Sequence, residues 1–408
     1  MAFRLVAPPP SPHSVVFLVL ILPFGVMAGY LTVTVVYLLT QAGVPIDESA
    51  ALVAISYLPH SWKFVWAPIP DTTLSRKRWY LLAAVVSALG IFATGAVPPT
   101  QGALPLLTVA VLTSNVAVTF LAMSVESLMA YTTPDEAKGR AAGWFQAGNL
   151  GGLGLGGGAG LWMAQALPEP WMPGAVLAAV SLACCLALAF VAEPPRAPRE
   201  AKYYQTLANV AKDLWRVARS RRGFLGLLIC FLPIGTGAAS NLWSAVAGDW
   251  QASADTVALV TGVLNGIVSA AGCLVGGYVC DRMDRKAAYA LYGVLMAVCA
   301  VAMALAPRTE TMYIAFTLTY AFINGLTYAA FSAVALEAIG LGAAATKYNL
   351  FASLSNIPIG YMTAADGWAA ARWGTAGMLY IEAAVGVLAL LVFVAVAALS
   401  VRPRVRAA

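Results

Sequence analysis

Tyr278-Val279-Cys280-Asp281-Arg282-Met283-Asp284-Arg285-Lys286, preceded by Gly276-Gly277, closes a long apolar run. A looser counterpart, Trp66-Ala67-Pro68-Ile69-Pro70-Asp71 followed by Arg76-Lys77-Arg78, stands about half a chain earlier. Each is an apolar segment that ends in a carboxylate and then a basic cluster. The pattern, met once per half, predicts a chain duplicated inside a membrane, with the charges marking the same end of two matching helices.

The composition around these stretches agrees. With 61% hydrophobic and 10% charged residues over 408 positions, the apolar runs exceed any core that a soluble domain builds. A spanning helix needs about 20 apolar residues, and the runs predict about twelve of them. They lie near 15–41, 49–69, 79–97, 104–131, 140–166, 172–192, 224–247, 256–280, 287–306, 311–337, 350–365 and 376–400. The expected fold is therefore an all-α membrane protein of about twelve transmembrane helices in two pseudo-symmetric six-helix halves, 1–193 and 224–408, joined by a cytoplasmic linker, 194–223.

The net charge of +6 reads here as a topology signal, with no nucleic acid as partner. With a cytoplasmic N-terminus, 21 of the 24 Lys and Arg residues fall on inside segments, while Arg308 and Arg372 fall outside and Lys63 falls within a span. That bias predicts both termini in the cytoplasm and an even number of helices, in a bacterial cytoplasmic (inner) membrane. The first apolar run follows Pro8-Pro9-Pro10 without a small-residue cleavage site and reads as an uncleaved helix. Six cysteines, none in a Cys-x-x-Cys pattern, read as small packing residues, and neither a metal nor a cofactor is expected.

The linker carries Tyr204, Leu207, Ala211, Leu214, Trp215 and Ala218 at helical spacing, with Lys212, Arg216 and Arg219 opposite, which predicts an amphipathic helix on the inner leaflet lipid. Eight glycines between Gly148 and Gly160 crowd the fifth span. Residues 152–157 satisfy Gly-x-Gly-x-x-Gly, yet lack the preceding strand that a nucleotide loop needs. Small residues in a span instead allow close helix contact, either where two halves slide past each other or in static packing.

Gly277-x-x-x-Asp281-Arg282-x-x-Arg285-Lys286 resembles the loop signature of the major facilitator superfamily, departing where Asp284 replaces glycine. Three further stretches resemble the branch that holds anhydromuropeptide permeases and acetyl-CoA transporters. They are Trp62-Lys63-Phe64-Val65-Trp66-Ala67-Pro68 with Asp71, Pro134-Asp135-Glu136-Ala137-Lys138-Gly139, and Ala345-Thr346-Lys347-Tyr348-Asn349-Leu350-Phe351 with Ser353-Leu354-Ser355. The resemblance implies the major facilitator fold and a secondary active transporter that moves a polar metabolite by alternating access. Ala122 and Tyr131 stand where the muropeptide permeases are acidic, and only Glu126 is kept. Those permeases also tend to have extra helices, for which 408 residues leave no room.

Charge inside a bilayer costs about 2.5–3.5 kcal/mol per residue on insertion scales, so each such residue needs a reason. Glu126 and Lys63 fall about 9–12 Å from the inner ends of helices four and two, and His60 lies one turn above Lys63. A His60/Lys63/Glu126 cluster would bind an anionic group or relay a proton. The plainer alternatives are a snorkelling Lys63, a merely pairing Glu126 and a backbone-bonded His60. Glu337 and Glu382 are further carboxylates in spans. Asn115, Asn241, Asn265, Asn324, Tyr30, Tyr37 and Tyr328 place neutral polar groups where a central cavity would use them, or where helices simply join. Asp71 with Arg76, and Asp281 with Arg282 and Arg285, read as charge pairs that hold one conformation and break in another.

The function expected is proton-coupled symport of a polar, anionic small molecule by a monomer, and no enzyme activity. One alternative is a polytopic acyl transferase with His60 as base, for which no second catalytic group is visible. The other is a transporter-like sensor, whose signalling appendage the short termini leave no room for.

Overall fold

The computed structural model describes residues 12–44, 48, 52, 53, 55, 56, 58–66, 69, 70, 73–193, 208, 212, 215, 219–339 and 344–399, and among them there is no strand. The helices, numbered here along the chain, are α1 (15–41), α2 (Leu58–Trp66), α3 (Arg76–Ala96), α4 (Leu104–Thr132), α5 (138–166), α6 (Met172–Phe190), α7 (221–250, interrupted at 232–237), α8 (Asp255–Cys280), α9 (Arg285–Leu305), α10 (Glu310–Ile339), α11 (344–373) and α12 (375–399). Among the described residues, eight stretches are long and apolar enough to cross a membrane on those criteria alone. Most of the expected linker 194–223, and Asp71, lie outside the described residues.

The duplication is visible in the packing. In the first half α3 packs on α4 and α6; in the second, α9 packs on α10 and α12, the same relation displaced by six helices. The two basic clusters open equivalent helices. Ser75 caps α3 by accepting from the Arg78 amide, and Asp284 caps α9 by accepting from the Lys286 and Ala287 amides. Each cap satisfies amides that the first helical turn leaves bare.

The glycine run on α5 serves two neighbours. Gly148, Gly152 and Gly156 face α1, where a Cβ would run into the backbone carbonyls of Leu18, Leu22 and Val26. Gly139, Gly143, Gly154 and Gly158 face α8 of the other half. A Cβ on Gly139 would stand 2.7 Å from the Gly277 carbonyl oxygen, and one on Gly143 2.5 Å from that of Cys273. Spacings of three and four put both sets on one helix, so the same run builds the half and the seam between halves. Farther along, α1 and α5 each widen into a π-helical turn, Tyr30–Val35 and Leu155–Ala159. There Thr34 donates its hydroxyl to the Gly156 and Gly157 carbonyls at 3.2 Å, satisfying groups that widened turns release inside an apolar medium.

The eleventh span differs from expectation. It runs to residue 373 rather than 365, and the chain then turns at Gly374, whose φ of 69° suits a residue without a Cβ. Asp366 follows directly on the expected end at 365. The structure keeps Asp366 inside the helix and fully buried.

Candidate functional site

Helices α2 and α4 run side by side, and polar contacts between described residues tie them. The Asn115 amide nitrogen donates to the Val111 carbonyl at 2.9 Å, which turns its oxygen toward His60 Nε2 at 3.0 Å, so His60 is the donor of that bond. Trp66 donates its indole N–H to Thr119 Oγ1 at 3.1 Å. Lys63 Nζ lies 3.9 Å from Glu126 Oε1, with 9% and 4% of the two side chains exposed. The expected grouping thus forms as two rungs, His60 on Asn115 and Lys63 on Glu126, with Phe24 edge-on to the imidazole. At 3.9 Å the ammonium and carboxylate stand at the outer limit of an ion pair.

This ladder sits at the seam, since α2 and α4 both pack against the start of α11 in the other half. Tyr348 of α11 is buried, stands edge-on to Phe145 of α5, and lies within interaction range of Glu126 and Ser332. Gln146 of α5 donates to Ser332 of α10 at 2.7 Å and accepts from Asn149 at 3.1 Å. A polar chain therefore crosses between the halves beside the ion pair. The sequence reading took this stretch of α5 for its glycines alone; the i, i+3 pair Gln146 and Asn149 was the signal that would have found it.

At one end of the bundle the halves are clamped. Asp281 accepts from the Gly139 and Arg140 amides at 2.8 and 3.1 Å and from Arg140 Nε at 2.7 Å. A carboxylate of one half thus caps the first turn of a helix in the other, where bare amides and the helix dipole favour negative charge. The pairing expected of Asp281 with Arg282 and Arg285 does not form. Arg285 binds Glu337 at 3.1 Å and the Asp135 carbonyl, and Lys286 joins Glu337 at 3.2 Å. Arg282 reaches back to the Tyr278 carbonyl and lies over its ring. Sequence adjacency suggested the wrong partners because Asp281 points across the seam, toward a helix start 142 residues away. Arg76 is buried, donating its amide to Glu193 and its Nε to Ser127, both at 2.6 Å, over the Tyr131 ring.

The neutral polar candidates scatter. Tyr30 is wholly buried inside the first half, its hydroxyl against Gly95 and Gly174 and with no hydrogen-bond partner among the described residues. Asn241 donates to Thr363 Oγ1 at 2.9 Å, and Asn324 abuts the interruption of α7 at Gly237. Tyr37 and Asn265 are half-buried. Tyr328 lines a small cleft of about 60 Å³ in the second half, together with Thr236, Tyr289, Thr327, Ser355 and Asn356.

Two pseudo-symmetric helical halves, clamped at one end and with a buried ion pair at their seam, define a polytopic carrier-like membrane protein. The sequence profile of the Major Facilitator Superfamily matches residues 15–362, and the chain belongs to that family. Its structure is similar to that of a variant of the Escherichia coli fucose:proton symporter FucP, with a TM-score of 0.70 at 16% identity over 95% of this chain and 98% of that one. It is also similar to the proton:xylose symporter XylE bound to 6-bromo-6-deoxy-D-glucose, with a TM-score of 0.69 at 16% identity over 92% and 94%. A third likeness is to the human organic anion transporter MFSD10 (TETRAN), with a TM-score of 0.68 at 16% identity over 93% and 97%. No curated protein matches the sequence.

Proposed function

We propose that the protein is a secondary active transporter that carries a polar, anionic small metabolite together with a proton by alternating access. The observation behind this reading is the loose, buried Lys63–Glu126 pair on two helices that the opposite half covers. Empty, the pair is neutral. If an anion takes Lys63 while Glu126 takes a proton, the site is neutral again. Either event alone changes the charge of the pair at low dielectric, which is costly and disfavours movement of the half-loaded site. Symport follows from that balance, and Tyr348 and the Gln146–Ser332 bond supply polar groups that change partners as the seam opens.

The positive-inside bias supports a cytoplasmic position for the Asp281 clamp and both termini, and on that reading the described conformation is closed toward the cytoplasm. Two of the similar structures are named for proton symport and one for organic anions, which agrees with this reading. The likeness of Trp62–Pro68 and Ala345–Phe351 to the anhydromuropeptide permease and acetyl-CoA transporter branch directs the choice of substrates to test.

The test uses purified protein in liposomes enclosing a pH-sensitive dye, screened with amino-sugar peptides, acyl-CoA compounds and siderophores. Substrate-evoked acidification that is lost in Glu126→Gln is the expected result. Binding of a substrate without any proton flux would point instead to an exchanger, a uniporter or a sensor.

A further inference from the structure

In the second half, Asp366 on α11 and Glu382 on α12 lie eight residues before and eight after the Gly374 turn. At 1.5 Å per residue both are about 12 Å from the turn, close to the middle of a hydrocarbon core about 30 Å thick. Tyr320 of α10, wholly buried, donates its hydroxyl to Glu382 Oε1 at 2.7 Å. The other Glu382 oxygen and both Asp366 oxygens are buried and meet no donor among the described residues. Asp366 is 0% exposed, and its carboxyl faces that of Glu382 at hydrogen-bonding range.

Among the described residues, the surroundings supply nothing to neutralise two negative charges. The titratable groups facing the pair are Tyr320 and, behind it on α9, Cys299. Tyr320 is held edge-on by Trp243, within an apolar cluster that includes Met296, Met378 and Leu379. The basic residues Arg308 and Arg372 lie over the rings of Trp250 and Trp368. Two carboxylates side by side at low dielectric repel strongly, and three buried acceptor oxygens with no donor are costly. One shared proton relieves both penalties, since it cuts two negative charges to one and turns an acceptor into a donor, so that a like-charge pair becomes a hydrogen-bonded one.

We infer that Asp366 and Glu382 hold one proton between them and form a proton-binding site in the second half, separate from the Lys63–Glu126 pair. Tyr320 fixes Glu382 Oε1, so the proton sits between Glu382 Oε2 and Asp366. The opening segment of α11, Ala344–Leu354, packs on α2 and α4 and leads through a turn at Ser355 into the part that carries Asp366. When α11 shifts relative to α12, the two carboxyls part, water reaches one of them, and the proton passes to that water. This exchange step rests on the alternating-access reading above; the shared proton does not.

Infrared spectroscopy of the purified protein at neutral pH tests both parts without any substrate. Wild type is expected to show a buried carboxylic-acid C=O band that is lost in Asp366→Asn and lost or shifted in Glu382→Gln. The same band in all three proteins overturns the shared proton, and using two variants guards against misfolding of either. Transfer into D2O then reads the exchange step. Asp281→Ala, which releases the clamp between halves, is expected to speed the isotope shift of that band relative to wild type. An unchanged rate overturns the coupling of this proton to movement of the halves. A wild type that carries the band yet moves no solute in liposomes upholds the shared proton and counts against the transport reading alone.

Discussion

The two halves hold their intramembrane charge in opposite ways. In the first, Lys63 and Glu126 are of opposite sign, loosely paired, and lie on helices that meet the other half. In the second, Asp366 and Glu382 are of like sign and are buried within the half itself. A duplicated scaffold has thus kept its helix order while its charges diverged. Charge is costly at low dielectric in both places; a cation balances the carboxylate in one half, while in the other a shared proton cuts two negative charges to one.

Removing one member of each pair tests this contrast most severely. Glu126→Ala leaves Lys63 buried alone and is expected to cost about 3–5 kcal/mol in thermal unfolding in detergent, with concentrative uptake lost. A Lys63→Met/Glu126→Leu double variant should recover the stability without the uptake; stability no better than that of Glu126→Ala would mean that the pair is not the source of the loss. Asp281→Ala comes next, since it removes a helix cap between halves worth about 1–2 kcal/mol, a shift of roughly five- to thirtyfold away from this conformation. Cys280 is buried beside it, so maleimide labelling of Cys280, with the other five cysteines replaced, should accelerate. Labelling as slow as in the parent would show that Asp281 does not hold this end closed.

Asp366→Asn is expected to change stability by less than about 1 kcal/mol, because the Asn amide can donate to Glu382 in place of the shared proton, whereas Glu126→Ala strands a charge. A loss as large as that of Glu126→Ala would erase the difference between the halves. The smallest effect belongs to Arg282→Gln, within about 0.5 kcal/mol, since Arg282 lies outside the clamp and turns back onto Tyr278. Faster Cys280 labelling in that variant would return Arg282 to the gate.

Much of the architecture was legible because its signals are local. Apolar run length gave the spans, and the carboxylate-plus-basic ends of the second and eighth helices gave the repeat. The cost of charge in a bilayer singled out Lys63 and Glu126, which a sequence reading can weigh one residue at a time. The same logic passes over Asp366, which stands one residue past the expected end of the eleventh span at 365. Its partner lies on the next helix and becomes visible only once the chain folds back at Gly374.

The order of amino acids alone was enough for a membrane protein of about twelve helices in two related halves, with Lys63 and Glu126 as its costly interior charges, because hydropathy and desolvation act on each segment where it stands. The choice of partners needed the folded chain: Asp281 on the first turn of α5, Gln146 on Ser332, two faces for one glycine run, and Asp366 against Glu382. Hydrogen bonds and ion pairs act over a few ångströms, and which groups come that close depends on helix rotation and crossing, which no single segment encodes.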